Sequence, residues 1–121
     1  MVWAVAELTP VAVENHIREL SNRIAKSASV CNERYQAFLD ADRAFDQAYA
    51  QAFLAHEGPQ TEKRYAADLA SMEERAARDV ADAAYRYADR LSKALSAELM
   101  AYQSLNRSVL AQYNAAGVGE R

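Results

Sequence analysis

Apolar positions recur along almost the whole chain at helical spacing. Counting in sevens from Ile17 reaches Ile24, Cys31, Phe38, Phe45 and Ala52, and a companion column runs Val13, Leu20, Ser27, Arg34, Ala41, Ala48 and Ala55. The first column is apolar throughout, and the second fails at Ser27 and Arg34. Further along, steps of four, four and three pick out Tyr65, Leu69, Met72, Ala76, Val80, Ala83, Tyr87, Leu91, Ala94, Glu98, Tyr102, Leu105, Val109 and Tyr113. Only Glu98 interrupts that set. Eleven residues in three turns is about 3.67 per turn, close to the natural α-helix, so the column stays on one side of a helix with little supercoiling.

The punctuation between these runs sets the boundaries. Thr9-Pro10 starts a first helix, because threonine accepts from free amides and proline at the first helical position loses no hydrogen bond. Ala55-His56-Glu57-Gly58-Pro59 ends it, with glycine suited to a left-handed cap and proline forbidding continuation. Thr61 is placed to cap the next helix, and Glu62 suits its positive end. The expected plan is all-α, an antiparallel hairpin in a single domain: an extension over 1–9, helix over 10–56, a turn at 57–61, helix over 62–116 and a tail over 117–121. The poor helix formers of 27–32 predict a bend or register shift within the first helix, with a full break as the alternative.

A turn this short makes the helices antiparallel neighbours. Facing positions then set Ile17 and Ile24 against Leu91, Leu95 and Leu99, Phe38 against Val80, Phe45 against Met72, and Cys31 near Tyr87. Trp3 and Val5 fall beside Val109, Leu110 and Tyr113, with Trp3 as a lid. The residues expected to form the seam are Ile17, Ile24, Phe38, Phe45, Leu69, Val80, Leu91 and Leu105. Apolar residues to the side of it, Leu39, Phe53, Leu95, Leu99 and Leu110, predict self-association, most simply as a dimer forming a four-helix bundle.

Composition tempers this picture. Of the 121 residues, 51% are hydrophobic, but roughly a fifth of the chain is alanine, which favours helix and buries little area. The net charge of −3 hides no polarised half: positions 10–56 carry six acids and five bases, and positions 61–116 carry eight of each. That balance argues against a strongly basic grip on nucleic acid. Cys31 is the only cysteine, which fits a reducing compartment, and no apolar run approaches a membrane span, so a cytoplasmic protein without a membrane segment or signal peptide is expected.

Little of the usual catalytic vocabulary is present. The sequence has no Glu-x-x-His pair of the kind that holds metals in bundles, no histidine facing Cys31 and no glycine-rich phosphate loop. The reading is a non-enzymatic protein with no catalytic residues, no cofactor and no metal. Glu98 is either a register-fixing partner of Arg18 or Arg23, or lies at the edge of a seam filled by Leu95 and Leu99. The polar run holding Gln103, Asn106 and Arg107 is the candidate surface for an unidentified protein partner. Arg86, Arg90 and Lys93, beside Tyr85 and Tyr87, form the alternative, a nucleic-acid face in which tyrosine stacks and arginine meets phosphate. On that face, Asp82-Arg86 and Asp89-Lys93 are also spaced as ordinary i,i+4 pairs, as are Glu14-Arg18, Glu19-Arg23 and Glu74-Arg78.

The stretch Ala101-Tyr102-Gln103-Ser104-Leu105-Asn106-Arg107-Ser108-Val109-Leu110 resembles the closing segment of small Ala- and Arg-rich helical proteins of unknown function encoded by tailed bacteriophages. The likeness extends to Glu33-Arg34-Tyr35 and Arg75-Ala76-Ala77-Arg78-Asp79, while Tyr102 stands where leucine is commoner. The resemblance implies a protein of the host cytoplasm that acts by binding, as an accessory of phage replication or recombination, with no catalytic residues carried over. A virion structural or assembly-chaperone role is the further alternative.

Overall fold

The computed structural model describes residues 9–119. Its elements are α1 (Pro10–Ala55), α2 (Gln60–Ala70) and α3 (Met72–Gly119), an all-α hairpin. The expected side-by-side placement of Trp3 and Val5 lies outside the described residues. Contacts divide the chain into two compact units, a turn unit, Ser29–Arg90, and a terminal unit made of the residues up to Ala28 and from Leu91 onward. The helices α1 and α3 each run through both.

Local chemistry explains the boundaries. Thr9 Oγ1 accepts from the Ala12 amide at 3.2 Å, and the Thr9 carbonyl accepts from Val13, so the threonine cap forms as its sequence predicts. At the other end Gly58 takes φ +141°, a region that side chains other than glycine rarely adopt. Thr61 does not cap the next helix. Pro59 holds the cap position with no side-chain bond, and α2 begins at Gln60, so Thr61 lies inside its first turn. The early start needs little capping because proline there loses no amide bond and Glu62 faces the positive end.

The first helix is continuous through 27–32, so the alternative of a full break is excluded. The weak segment instead coincides with the boundary between the two units. The second helix, expected as one piece, is interrupted at Ser71, which has φ −105° and ψ 14°. Ser71 is fully buried, and its Oγ donates to the Ala67 carbonyl at 2.7 Å alongside its own amide at 3.1 Å. This back-bonding is a known cause of helix distortion. The Arg75 amide still reaches the Ser71 carbonyl at 2.9 Å, so the ladder resumes at once.

In the terminal unit, α1 turns Val13 and Leu20 fully inward, with Ile17, Ile24 and Ser27 half-buried, against buried Leu95 and Val109 and half-buried Leu99, Tyr102, Leu105 and Asn106. His16 stacks on Tyr102 at 5.2 Å, and Ser27 Oγ lies 3.1 Å from Ser92 Oγ. Leu95 and Leu99 thus fill the seam, while Glu98 is exposed. Among the described residues no ion pair joins Glu98 to Arg18 or Arg23.

In the turn unit, α1 contributes rings and the later helices contribute room for them. Phe38, Phe45, Tyr49 and Phe53 are half-buried, and the facing positions are Ala67, Ser71, Glu74, Arg78, Ala81, Tyr85 and Ala88. Tyr35 meets Tyr85 at 5.2 Å. The Arg78 guanidinium lies 4.4 Å from the centre of the Phe45 ring, Arg75 lies 5.5 Å from the same ring, and Lys63 lies 5.7 Å from Phe53. Phe45 therefore packs under two arginines and not against Met72. Likewise Val80 and Tyr87 face outward and cannot cover Phe38 and Cys31 as expected.

The inward positions of α2 and α3 recur at steps of four and three, from Ala67 through Ser71, Glu74, Arg78, Ala81, Tyr85, Ala88, Ser92, Leu95, Leu99, Tyr102, Asn106 and Val109. The eleven-residue column was expected to face α1, and this corrects it. The seam of α1 repeats every seven residues, and a helix that packs along such a seam must offer its own contacts at the same period. The apolar eleven-residue column therefore points elsewhere over 65–87. Leu69, Val80 and Leu91 are exposed, whereas Ile17, Ile24, Phe38, Phe45 and Leu105 are at least half-buried.

Candidate functional site

What the seven-residue seam leaves uncovered is an apolar stripe on α2 and α3 of the turn unit. Tyr65, Leu69, Met72, Val80 and Tyr87 are between 60% and 71% exposed, and Ala76 and Ala83 between them are exposed as well. Isolated apolar residues on a surface are ordinary, but seven in one helical column are not scattered. At 1.5 Å per residue the stripe extends roughly 33 Å along its helix. Of the residues beneath it, Ala67, Ser71, Glu74, Arg78 and Ala81 are small or polar, and Tyr85 supplies the one large ring. The later helices of this unit thus carry larger apolar side chains on the outward face than on the inward one. The side residues expected to supply such a surface behave differently: Leu39, Phe53 and Leu99 are half-buried, Leu95 is buried, and Leu110 is exposed.

The three residues nominated for a protein partner do not share a face. Gln103 and Arg107 are exposed one turn apart, and Arg107 Nη2 donates to Ser104 Oγ at 3.3 Å. Asn106 belongs to the seam of the terminal unit. Its Oδ1 is buried without a hydrogen-bond partner, in the wall of an open groove of about 450 Å³ lined by Glu14, Ile17, Arg18, Ser21 and Asn22.

The basic trio is also divided. Arg86 and Arg90 are exposed on the turn unit, while Lys93 is an exposed residue of the terminal unit. Arg86 Nε donates to both carboxylate oxygens of Asp82, at 3.1 and 3.0 Å, so the predicted i,i+4 pair forms and occupies Arg86. Arg78 leaves Glu74 and approaches Asp42 at 3.8 Å and Asp79 at 3.6 Å. Glu74 Oε2 is buried without a hydrogen-bond partner.

The remaining chemistry is sparse. Among the described residues no group of three or more His, Cys, Asp or Glu side chains gathers as a metal site would require. Cys31 is a half-buried thiol on α1, and His56 sits in the turn with Nε2 3.7 Å from Glu62 Oε2. Burial, with a smaller contribution from the Glu98 carboxylate, raises the Tyr102 phenol above its ordinary pKa of 10.0. Among the described residues, no helix is long and apolar enough to cross a membrane.

Sequence reasoning found the stripe residues but assigned them to the wrong side. It missed the rings of α1 sheltering beneath Arg75, Arg78 and Lys63. The available signal was size: Phe38, Phe45, Tyr49 and Phe53 recur on α1, and the small residues Ala67, Ala81 and Ala88, at multiples of seven, with Ser71 four residues after Ala67, receive them. Comparison with protein-family models, with curated proteins and with solved structures finds no match to this chain.

Proposed function

We propose that this chain is a non-enzymatic helical scaffold that associates with itself through the outward stripe of α2 and α3. The observation that carries the reading is the inverted distribution just described: Leu69, Met72 and Val80 face outward while Ser71, Glu74 and Arg78 face α1. Folding of a single chain leaves that apolar surface in water. With five large side chains 60–71% exposed, and a fully buried tyrosine covering about 150–250 Å², the stripe offers on the order of several hundred Å² before alanines and flanking stems are added. A standard interface buries about 800 Å² per partner.

The test is solution mass by light scattering over a range of concentrations, at low and high salt, with and without single-stranded DNA. The expected result is a dimer of about twice the 13.4 kDa chain mass, indifferent to DNA. The double variant Leu69→Glu, Val80→Glu should weaken association at least about a hundredfold while its circular dichroism stays helical, because each introduced carboxylate would be desolvated at the interface. A chain that stays monomeric at high concentration would overturn the proposal. Mass gained only with DNA and lost in salt would transfer attention to Arg86, Arg90 and Lys93.

A further inference from the structure

We infer that the two copies meet antiparallel across a two-fold axis at Ala76, a geometry that rests on the self-association proposed above. The stripe is positionally symmetric about this residue: Met72 and Val80 lie four residues to either side, Leu69 and Ala83 seven, Tyr65 and Tyr87 eleven. Any column of this period has two such centres in every eleven residues, one on a residue and one midway along the three-residue step. Ala76 is selected because the large residues of the column are 60–71% exposed from Tyr65 to Tyr87 and exposure falls to 43% at Leu91, which makes Ala76 the midpoint of the most exposed part.

Side-chain size distinguishes the two possible directions. Rotation about an axis perpendicular to the helix reverses its direction and keeps each residue on its own edge of the column. Leu69 then comes level with Ala83 of the second copy, Met72 with its Val80, and Tyr65 with its Tyr87. Each bulky side chain of one end meets a smaller one of the other, and the tyrosines close both ends. Parallel pairing would stack Leu69 on Leu69 and Met72 on Met72 at one end and leave alanine against alanine at the other. Such uneven filling costs stability through overpacking and voids.

The axis itself falls on the smallest side chain available. Helices pack with axes about 8–10 Å apart, and the Cα atoms lie on a cylinder of about 2.3 Å radius. Facing Ala76 residues would therefore bring their Cα atoms to about 3.4–5.4 Å, and the upper part of that range is a separation that a disulfide spans. On one edge the same rotation carries Arg75 toward Asp79 of the second copy and Arg86 toward its Asp68. Like charges meet beside the axis, where the two Arg75 residues share the Asp79 carboxylates, and near the ends, where Arg64 approaches Arg90 of the second copy.

Cysteine cross-linking reads this arrangement directly. In a Cys31→Ala background, Ala76→Cys should give a covalent dimer under mild oxidation, Ala83→Cys alone should not, and mixing Tyr65→Cys chains with Tyr87→Cys chains should give a cross-linked pair. Light scattering on the same samples keeps the two proposals apart. A non-covalent dimer in which Ala76→Cys fails to cross-link, or in which Ala83→Cys cross-links to itself equally well, would overturn the antiparallel axis and leave self-association standing. A monomer at every concentration would remove both.

Discussion

Arg78 occupies a position where a helical seam ordinarily holds an apolar side chain, and it remains there by dividing its chemistry. Its guanidinium covers the Phe45 ring while leaning toward Asp42 and Asp79, so the charge keeps partners and the stem supplies packing. In the terminal unit the comparable composite is Tyr102, stacked on His16 with Glu98 one turn away. Because folding raises the Tyr102 pKa, the folded chain holds the proton more tightly than the unfolded one. Its contribution to stability is complete below pH 10 and is lost as pH rises through the higher folded value. Unfolding followed against pH should show this loss above about pH 10, and Tyr102→Phe, which keeps the ring, should make the decline shallower. An identical decline in the variant would mean the phenol does not carry it.

At the scale of elements, one helix serves two periods. The inward face of α2 and α3 follows the seven-residue repeat set by α1, and the outward face follows eleven. Substitutions that look alike should therefore act oppositely. Ala88→Leu adds bulk to a buried seam position and should cost about 1–3 kcal/mol in chemical unfolding, the usual range for overpacking. Ala83→Leu adds the same bulk to an exposed position and should change the stability of an isolated chain by less than about 0.5 kcal/mol. Equal losses at the two positions would refute the assignment of faces.

The same two periods explain what was legible in the sequence. On α1, Val13, Ile17, Leu20, Ile24, Phe38 and Phe45 turned inward as their spacing required, because large side chains leave little choice of face. On the later helices the largest apolar residues lie on the eleven-residue column, so following apolarity alone led to the outward face. In the turn unit the true seam is written mostly in alanine, serine, a glutamate and an arginine, with Tyr85 its one large ring, and the burial of these residues depends on the rings opposite them. The kink at Ser71 had no signal of its own, since a serine inside a helix is compatible with either geometry until its hydroxyl finds the carbonyl one turn back. Of the candidate functional residues, the stripe could be listed from sequence, but its exposure could not.

At the scale of the whole molecule, association and stability are linked. If the stripe binds a second copy, the dimer is favoured by mass action, and the unfolding midpoint rises with protein concentration. The hairpin has a kinetic side as well, and it resides in Gly58. Phe53 and Lys63 meet ten residues apart, Phe45 and Arg78 thirty-three, Ser27 and Ser92 sixty-five. The entropy of closing a loop grows with its length, so the contacts nearest the turn are the cheapest to form first. A methyl group at position 58 would meet a strained φ and lie 2.5 Å from Glu62 Oε2. Gly58→Ala should accordingly slow refolding in stopped-flow measurements more than it speeds unfolding, and the opposite partition would place the nucleus elsewhere. The glycine that lets the chain reverse between the two helices would then also govern how soon they find each other.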